Sequence, residues 1–334
     1  MRDVKVIELG WGTPETPYVR DHIIAMERSP FDGLVLDYLD DTGRHDTSGH
    51  MSWNVWGVTP LDPARYAASH AALVATPFER FTDNFLRINL SPGDVDWFDP
   101  RFEAVTANVA LVASLAKAGH CVGLFLDTEQ YRGKVFTYAK QPQQAQHSFR
   151  DYQGQVRLRA QQLMQALLTA FPLATLFIPW GYWFGNSAGP LVTASYGLLP
   201  AFLDGLLDVA PESMLIHDGW EHSYPGYGAL SRYQTDYNTI RNRPDFSGAK
   251  AQYARQYRAG FGLWVDYGPT WSQSDFTQNH FSPEFLGANI RWATQVTDRY
   301  VWLYSEKTTW WEGGTIPVIH PNYVNAFHAA RVLL

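Results

Sequence analysis

Short apolar runs of strand length alternate with longer amphipathic stretches along this chain of 334 residues. Such alternation is typical of βαβ units arranged around a parallel sheet. Eight strand and helix pairs can be counted in this way. The predicted strands are residues 4–10, 33–38, 84–90, 121–129, 174–182, 213–220, 262–268 and 300–306.

The predicted helix starts agree with this alternation. Proline is favoured in the first turn of a helix, directly after a residue whose side chain caps the free backbone N–H groups. The last helix follows His320-Pro321. Four earlier sites also show the pattern: Thr16-Pro17, Asp62-Pro63, Asp99-Pro100 and Ser282-Pro283.

Together these signals predict an α/β protein, with residues 1–334 forming a single (β/α)8 TIM barrel with extended βα loops. Residues 39–60, 130–150 and 267–281 are insertions longer than a tight turn, and each follows the carboxyl end of a predicted strand. An open doubly wound sheet is the alternative. It is disfavoured because the first strand leads into Gly10-Trp11-Gly12, without the glycine pattern of a dinucleotide-binding turn.

Composition excludes several classes of function. The net charge is -7 and the Lys and Arg residues are scattered, so nucleic acid is not an expected partner. A single cysteine, Cys121, excludes a disulfide framework and a cysteine zinc cluster, and no apolar run is long enough to cross a membrane. We predict no cofactor, and the sequence does not define the oligomeric state.

The first ten residues predict a strand rather than a secretory signal, so the sequence as written favours the cytoplasm. An exported protein whose leader has been removed would show the same pattern.

Acidic side chains gather at the carboxyl ends of the predicted strands, where barrel enzymes build their sites. Asp127 and Glu129 point the same way, because side chains alternate along a strand. Two close carboxylates do not easily both ionise, so one becomes a protonated acid beside an anion, as cleavage of a glycosidic bond requires. The polar residues at these ends are Glu8, Asp37, Asn89, Asp127, Glu129, His217, Asp218, Asp266 and Glu306.

Aromatic residues, 15% of the chain, lie among these acids. A flat ring offers an apolar face to a sugar, while nearby polar groups bond its hydroxyls. Trp264 and Trp302 lie within strands and could face the outer helices, so they are ranked below Trp180, Trp220 and Trp310. The preferred aromatic contacts are Trp11, Tyr38, Trp180, Tyr182, Trp220, Tyr304 and Trp310.

The segment GLFLDTEQY, residues 123–131, resembles strand 4 of barrel glycoside hydrolases. Its D-x-E ending is similar to that of chitinase-type enzymes, and its G-x-F-L-D-T run is similar to that of polygalactosaminidase-like proteins. The chitinase pattern implies that Glu129 is the acid and that Asp127 assists it. The chain departs from the longer chitinase motif at Val122 and Phe125, and it lacks the Asn-Glu of the large retaining clan, with Thr128 instead.

The resulting hypothesis is a glycosidase acting on an oligo- or polysaccharide. Glu129 is the general acid, Asp127 tunes it, and Glu306 is the base or nucleophile, with Asp266 and Asp218 as rivals for that second role. Strands 4 and 8 lie opposite each other in such a barrel. A wide separation of the two catalytic carboxyl groups, about 6.5–9.5 Å, favours an inverting mechanism. The predicted substrate contacts are Glu8, Trp11, Asp37, Tyr38, Trp180, Tyr182, His217, Asp218, Trp220, Asp266, Tyr304 and Trp310.

Two alternatives remain open. The first is a metal-dependent sugar isomerase, epimerase or lyase with Glu8, Asp37, His217 and Glu306 as ligands, although a lone histidine is more often a hydrogen-bonded or core residue. The second is a carbohydrate-binding barrel without catalytic activity.

Overall fold

The computed structural model describes residues 3–186 and 189–332. Within these residues, nine parallel strands form one sheet in the order β7-β6-β5-β4-β3-β2-β1-β9-β8. The strands are β1 (Lys5–Gly10), β2 (Gly33–Leu36), β3 (Phe85–Asn89), β4 (Gly123–Asp127), β5 (Thr175–Ile178), β6 (Ile216–Asp218), β7 (Tyr257–Ala259), β8 (Phe261–Trp264) and β9 (Tyr300–Ser305).

β7 and β8 together occupy the seventh position of an eight-position barrel. They are separated only by Gly260, whose N–H donates to the carbonyl of Asp218 at 2.7 Å. β7 pairs with β6 and β8 pairs with β9, so the chain itself joins the two ends of the sheet. The prediction of a TIM barrel is confirmed. The seventh strand, however, begins at Tyr257, five residues before its predicted start, because the apolar pattern is interrupted by Arg258 and Gly260.

Helices lie between successive strands and cover the outside of the barrel. Ser282 caps one of them, since its hydroxyl accepts from the N–H of Phe285 at 3.2 Å. No helix within the described ranges is both long and apolar enough to cross a membrane. The helices are α1 (Thr16–Met26), α2 (Ala67–Val74), α3 (Phe102–Ala118), α4 (Phe149–Ala170), α5 (Tyr182–Asn186), α6 (Leu199–Val209), α7 (Leu230–Arg241), α8 (Lys250–Gln256), α9 (Pro283–Val296) and α10 (Pro321–Val332).

The apolar core has two parts, one inside the barrel and one between the sheet and the helices. The inner part includes Trp302, which is fully buried and packs its ring against Phe125 at 5.5 Å. Trp302 therefore faces the inside of the barrel and not the outer helices, the alternative that lowered its rank. In parallel strands both faces are apolar, so the sequence pattern alone does not show which face is inside. The inner residues are Ile7, Leu9, Val35, Phe85, Phe125, Phe177, Tyr300 and Trp302.

Candidate active site

A cavity of about 390 Å³ opens above the inner core, at the carboxyl ends of the strands. This is the rim on which barrel enzymes build their sites. The lining residues combine acids with aromatic rings: Leu9, Trp11, Trp53, Arg87, Phe125, Asp127, Glu129, Tyr131, Pro179, Trp180, Glu221, Tyr224, Trp264, Trp302, Tyr304 and Glu306. Asp127, Glu129 and Glu306, the three predicted catalytic residues, are thus brought into one cavity, with Trp11, Trp180 and Tyr304.

Asp127, the last residue of β4, is held by three donors. Arg87 on the neighbouring β3 contacts its Oδ2 at 2.6 Å, and the Tyr131 hydroxyl donates to the same oxygen at 2.9 Å. The backbone N–H of Glu129 donates to Oδ1 at 3.1 Å. These bonds fix the position of the Asp127 carboxylate in the cavity wall, beside the guanidinium of Arg87.

Glu129 lies two residues beyond the end of β4 and is partly exposed to the cavity. Burial raises the pKa of its carboxyl group, and the negative charge of Asp127 raises it further. A hydrogen bond with Tyr131 and the charge of Arg87 act in the opposite direction. The charge of Asp127 is thus the second cause, after burial, that raises the pKa of Glu129.

Glu221 is a fourth carboxyl group in this cavity, and the sequence reasoning missed it. The indole N–H of Trp180 donates to its Oε2, and the Tyr224 hydroxyl donates to Oε1 at 3.0 Å. Burial raises the pKa of Glu221 well above its usual value, and the charges of Asp127 and Glu129 add to this effect.

A strained turn directs Glu221 into the cavity. Trp220 has φ 45°, a left-handed conformation that is uncommon for a non-glycine residue. The Asp218 carboxylate accepts from the N–H of Trp220 at 2.9 Å and stabilises this turn. The predicted strand ran to residue 220, but β6 ends at Asp218. Inspection of the loop that follows the true strand end would have found Glu221.

Glu306 lies just beyond the end of β9, across the barrel from β4. The Tyr304 hydroxyl donates to its Oε1 at 2.8 Å and accepts from the Trp11 indole at 2.5 Å. Asp266 is fully buried and accepts from the backbone N–H groups of Glu306 and Thr308, at 2.9 and 3.0 Å. Asp266 therefore positions the segment that carries Glu306 and does not itself line the cavity.

Three other predicted contacts at strand ends lie outside the cavity. Glu8 is fully buried on the outer face of β1 and accepts from the Thr13 hydroxyl at 2.9 Å. His217 lies below the cavity among the inner core residues, where burial lowers its pKa to about 3. Asp218 faces outward and accepts from the Tyr257 hydroxyl at 2.7 Å. Side-chain alternation explains the outward faces, because the neighbouring residues on each strand point inward.

Four predicted aromatic contacts also lie away from the cavity. Tyr38, Tyr182, Trp220 and Trp310 are buried between the sheet and the helices, where their partners are His70, Asp204, Asp236 and Phe31, respectively. Each follows a strand end closely in sequence, but its side chain packs outward. In contrast, Trp264 and Trp302, which were ranked lower, line the cavity. We leave the four outward residues out of the proposed site.

Asp37 lines a second cavity, also of about 390 Å³, next to the first. Its Oδ1 accepts from the backbone N–H of Ser52 at 3.0 Å, and His50 Nδ1 lies 3.5 Å from its Oδ2. This arrangement raises the pKa of His50, mainly through the bond with Asp37.

The proposed metal ligands of the alternative hypothesis do not line one cavity. Glu8 is on the outer face of β1 and His217 packs inside the barrel against Tyr300, so neither lines the cavity that contains Glu306. Among the described residues, no group of three or more His, Cys, Asp or Glu side chains is arranged to hold a metal ion.

Solved structures with a similar fold include an endocellulase and an exo-β-1,4-mannosidase. An endocellulase from the archaeon Pyrococcus horikoshii is 12% identical with a TM-score of 0.50, over 98% of this chain and 92% of that chain. The chain has the TIM-barrel fold of glycoside hydrolases. An exo-β-1,4-mannosidase from Opitutaceae bacterium strain TAV5 is 13% identical with a TM-score of 0.55, over 100% of this chain and 61% of that chain. No family model and no curated protein sequence matches the chain.

Proposed function

We propose that this protein is a glycoside hydrolase that cleaves an oligo- or polysaccharide by carboxylate acid/base catalysis. The observation that carries the proposal is the cavity wall in which Asp127 is paired with Arg87 while the pKa values of Glu129 and Glu221 are raised. Carboxyl groups whose environments separate their pKa values can divide the roles of acid and anion. Aromatic rings around them suit a sugar ring.

Glu129 is the proposed general acid. Its raised pKa keeps the proton to a higher pH than in an ordinary glutamate, and its partial exposure to the cavity gives that proton access to a glycosidic oxygen. Asp127 does not transfer a proton in this scheme, because its Oδ2 forms an ion pair with the guanidinium of Arg87 and also accepts from the Tyr131 hydroxyl. Its charge tunes Glu129 and stabilises positive charge on the sugar as the bond breaks.

Glu306 is the proposed base or nucleophile on the opposite side of the cavity. It receives only one side-chain hydrogen bond among the described contacts, from Tyr304, which leaves its second oxygen available for water or the anomeric carbon. Glu221 replaces Asp266 and Asp218 as the rival, because it lines the cavity whereas they do not. If Glu306 activates a water molecule for attack, the configuration at the anomeric carbon is inverted. If a closer carboxylate attacks directly, the configuration is retained after the covalent intermediate is hydrolysed.

The experiment begins with a screen of aryl glycosides and of polysaccharides, with release of reducing ends as the readout. Glu129→Gln keeps the size of the side chain but removes the acidic proton, and we expect turnover to fall by about 10²- to 10⁴-fold. Binding of the substrate by the variant remains measurable. Normal hydrolysis by Glu129→Gln would refute the assignment, and hydrolysis of no glycoside by the unmodified protein would refute the function.

Glu306→Gln and Glu221→Gln identify the second carboxylate. The variant at the residue that acts as base or nucleophile loses as much turnover as Glu129→Gln does, and the other variant loses less. Glu103→Gln, an exposed change on α3, is the matched control and keeps full activity. The anomer released first, observed by NMR spectroscopy, then shows whether the reaction inverts or retains.

A further inference from the structure

A groove extends from the catalytic cavity in one direction across the rim of the barrel. The cavity that contains Glu129 shares Trp11, Trp53, Arg87 and Tyr304 with the cavity next to it. That second cavity continues into a third, of about 640 Å³, which reaches the surface at residues 312–316. Pockets of about 300–1,000 Å³ each hold one drug-sized molecule, so three connected cavities exceed the space that a single sugar needs.

Trp11 lines all three cavities. It is 64% exposed, which is unusual for so large an apolar side chain. Its indole N–H is nevertheless fixed by the 2.5 Å bond to the Tyr304 hydroxyl. An exposed ring in a fixed orientation loses little conformational freedom when a flat ligand packs against it.

The turn that carries Trp11 is also rigid. The N–H of Trp11 donates to the carbonyl of Ser305 at 3.0 Å, and the Thr309 hydroxyl donates to the carbonyl of Gly12 at 3.0 Å. A Cβ atom at Gly12 would come within 2.6 Å of the Thr309 side chain, so only glycine allows this close approach. Trp11 is therefore held on a defined support between β1 and the segment after β9.

The insertion at 39–60 forms the facing wall of the groove, with Trp53 and His50 among its lining residues. Arg132 ties this wall to the loop after β4, because its guanidinium donates to the Thr47 hydroxyl at 2.5 Å and lies 5.5 Å from the Trp53 ring centre. The acids of the catalytic cavity, Glu129 and Glu221, line neither the second nor the third cavity. The reacting groups thus lie near one end of the groove.

We propose that this groove binds a glycan chain of several sugar units. Trp11 is the platform between the catalytic cavity and a long binding arm, which consists of the second and third cavities. This inference rests on the proposed glycosidase function and defines its substrate class as a chain rather than a monosaccharide glycoside. Contacts in the arm are remote from the bond that breaks, and their binding energy contributes to positioning that bond against Glu129.

The test measures kcat/KM on ladders of cello-, manno-, chito- and malto-oligosaccharides, from the disaccharide to the hexasaccharide. For the sugar that is cleaved, kcat/KM rises with chain length beyond the disaccharide. Trp11→Ala lowers kcat/KM for the hexasaccharide by about tenfold more than for the disaccharide, as expected for loss of a central aromatic contact. Hydrolysis that is independent of chain length, or an equal loss on short and long chains, would overturn the inference while leaving the proposed function intact.

A second variant obstructs the far end of the arm. Gly314 lines the third cavity, and a Cβ atom there would have its nearest neighbour only at 4.0 Å, so the side chain of Gly314→Phe begins at an uncrowded position. We expect this variant to lower kcat/KM for the hexasaccharide severalfold and to leave kcat/KM for the disaccharide unchanged. Gly228→Phe is the matched control, because Gly228 is exposed, has no neighbour within 4 Å and lies outside the groove. Equal behaviour of the two variants on the hexasaccharide would refute an extended arm.

Discussion

Arg87 on β3 donates a 2.6 Å hydrogen bond to Oδ2 of Asp127 on β4, and this ion pair fixes the carboxylate in the wall of the proposed catalytic cavity. Both side chains belong to the inward-facing rows of adjacent strands, and the Asp127 side chain is only 4% exposed. A buried charge is tolerated when it is paired and hydrogen-bonded, as Asp127 is.

Removal of the guanidinium tests this pair. Arg87→Met leaves Asp127 without its counter-charge, and we expect the free energy of unfolding to fall by about 3 kcal/mol and activity to fall at least about 100-fold. Denaturant unfolding measures the first effect. Arg87→Met combined with Asp127→Asn recovers part of the stability but no activity, because the unpaired charge has been removed while the site stays incomplete.

Arg20→Met is the control for that experiment. Arg20 pairs with Asp21 on the exposed surface of α1, and a surface pair contributes little to stability. If Arg87→Met were as stable and as active as Arg20→Met, Asp127 would not depend on its partner.

The pH dependence of activity reports the pKa of the general acid, which is Glu129 in our proposal. The raised pKa of Glu129 keeps its proton up to a higher pH than usual, and activity is lost as pH rises through that pKa. Asp127→Asn removes the neighbouring negative charge and lowers the pKa of Glu129, so the alkaline limb of the kcat/KM profile moves to lower pH. An unmoved limb would show that Asp127 does not tune the acid.

The variant Trp180→Phe tests whether Glu129 or Glu221 is the proton donor. The indole N–H of Trp180 donates to Glu221, and loss of this bond raises the pKa of Glu221 further. With Glu129 as the acid, the alkaline limb of Trp180→Phe coincides with that of the unmodified protein. A limb displaced to higher pH would instead assign the proton to Glu221.

We expect Asp266 to act by positioning Glu306. Asp266→Asn weakens the hydrogen bonds that the side chain of residue 266 accepts from the backbone N–H groups of residues 306–308. We therefore expect kcat to fall about tenfold with little change in KM. The double variant with Glu306→Gln is no slower than Glu306→Gln alone, because the two residues support one function. Additive losses would indicate that Asp266 has an independent role.

Glu8 makes folding stability depend on pH. Burial raises its pKa from 4.5 to about 8 in the folded state. The folded state therefore binds a proton that the unfolded state has lost, and the free energy of unfolding falls as pH rises from about 4.5 to about 8. Glu8→Gln stays neutral throughout and is more stable at pH 7, by at most about 3 kcal/mol.

Denaturant unfolding at several pH values checks this prediction. Glu79→Gln, an exposed change, retains the pH dependence of the unmodified protein. A Glu8→Gln protein with the same pH dependence would show that Glu8 is not buried as a neutral acid.

The sequence by itself determined the alternation of strands and helices, the capped starts such as Ser282-Pro283, and the placement of Asp127 and Glu129 at one strand end. These features depend on local periodicity and on neighbours in the chain, which a single sequence contains. The long insertions were also readable, because they interrupt that periodicity.

Only the tertiary structure decided which strand-end residues meet in the cavity. Parallel strands of a covered barrel are apolar on both faces, so the sequence does not show that Glu8 and Asp218 point outward while Trp264 points inward. Glu221 enters the cavity through a left-handed turn at Trp220, which depends on hydrogen bonds formed in the folded chain. The inner face of each strand is set by its register in the closed sheet, and register depends on pairing between segments distant in sequence.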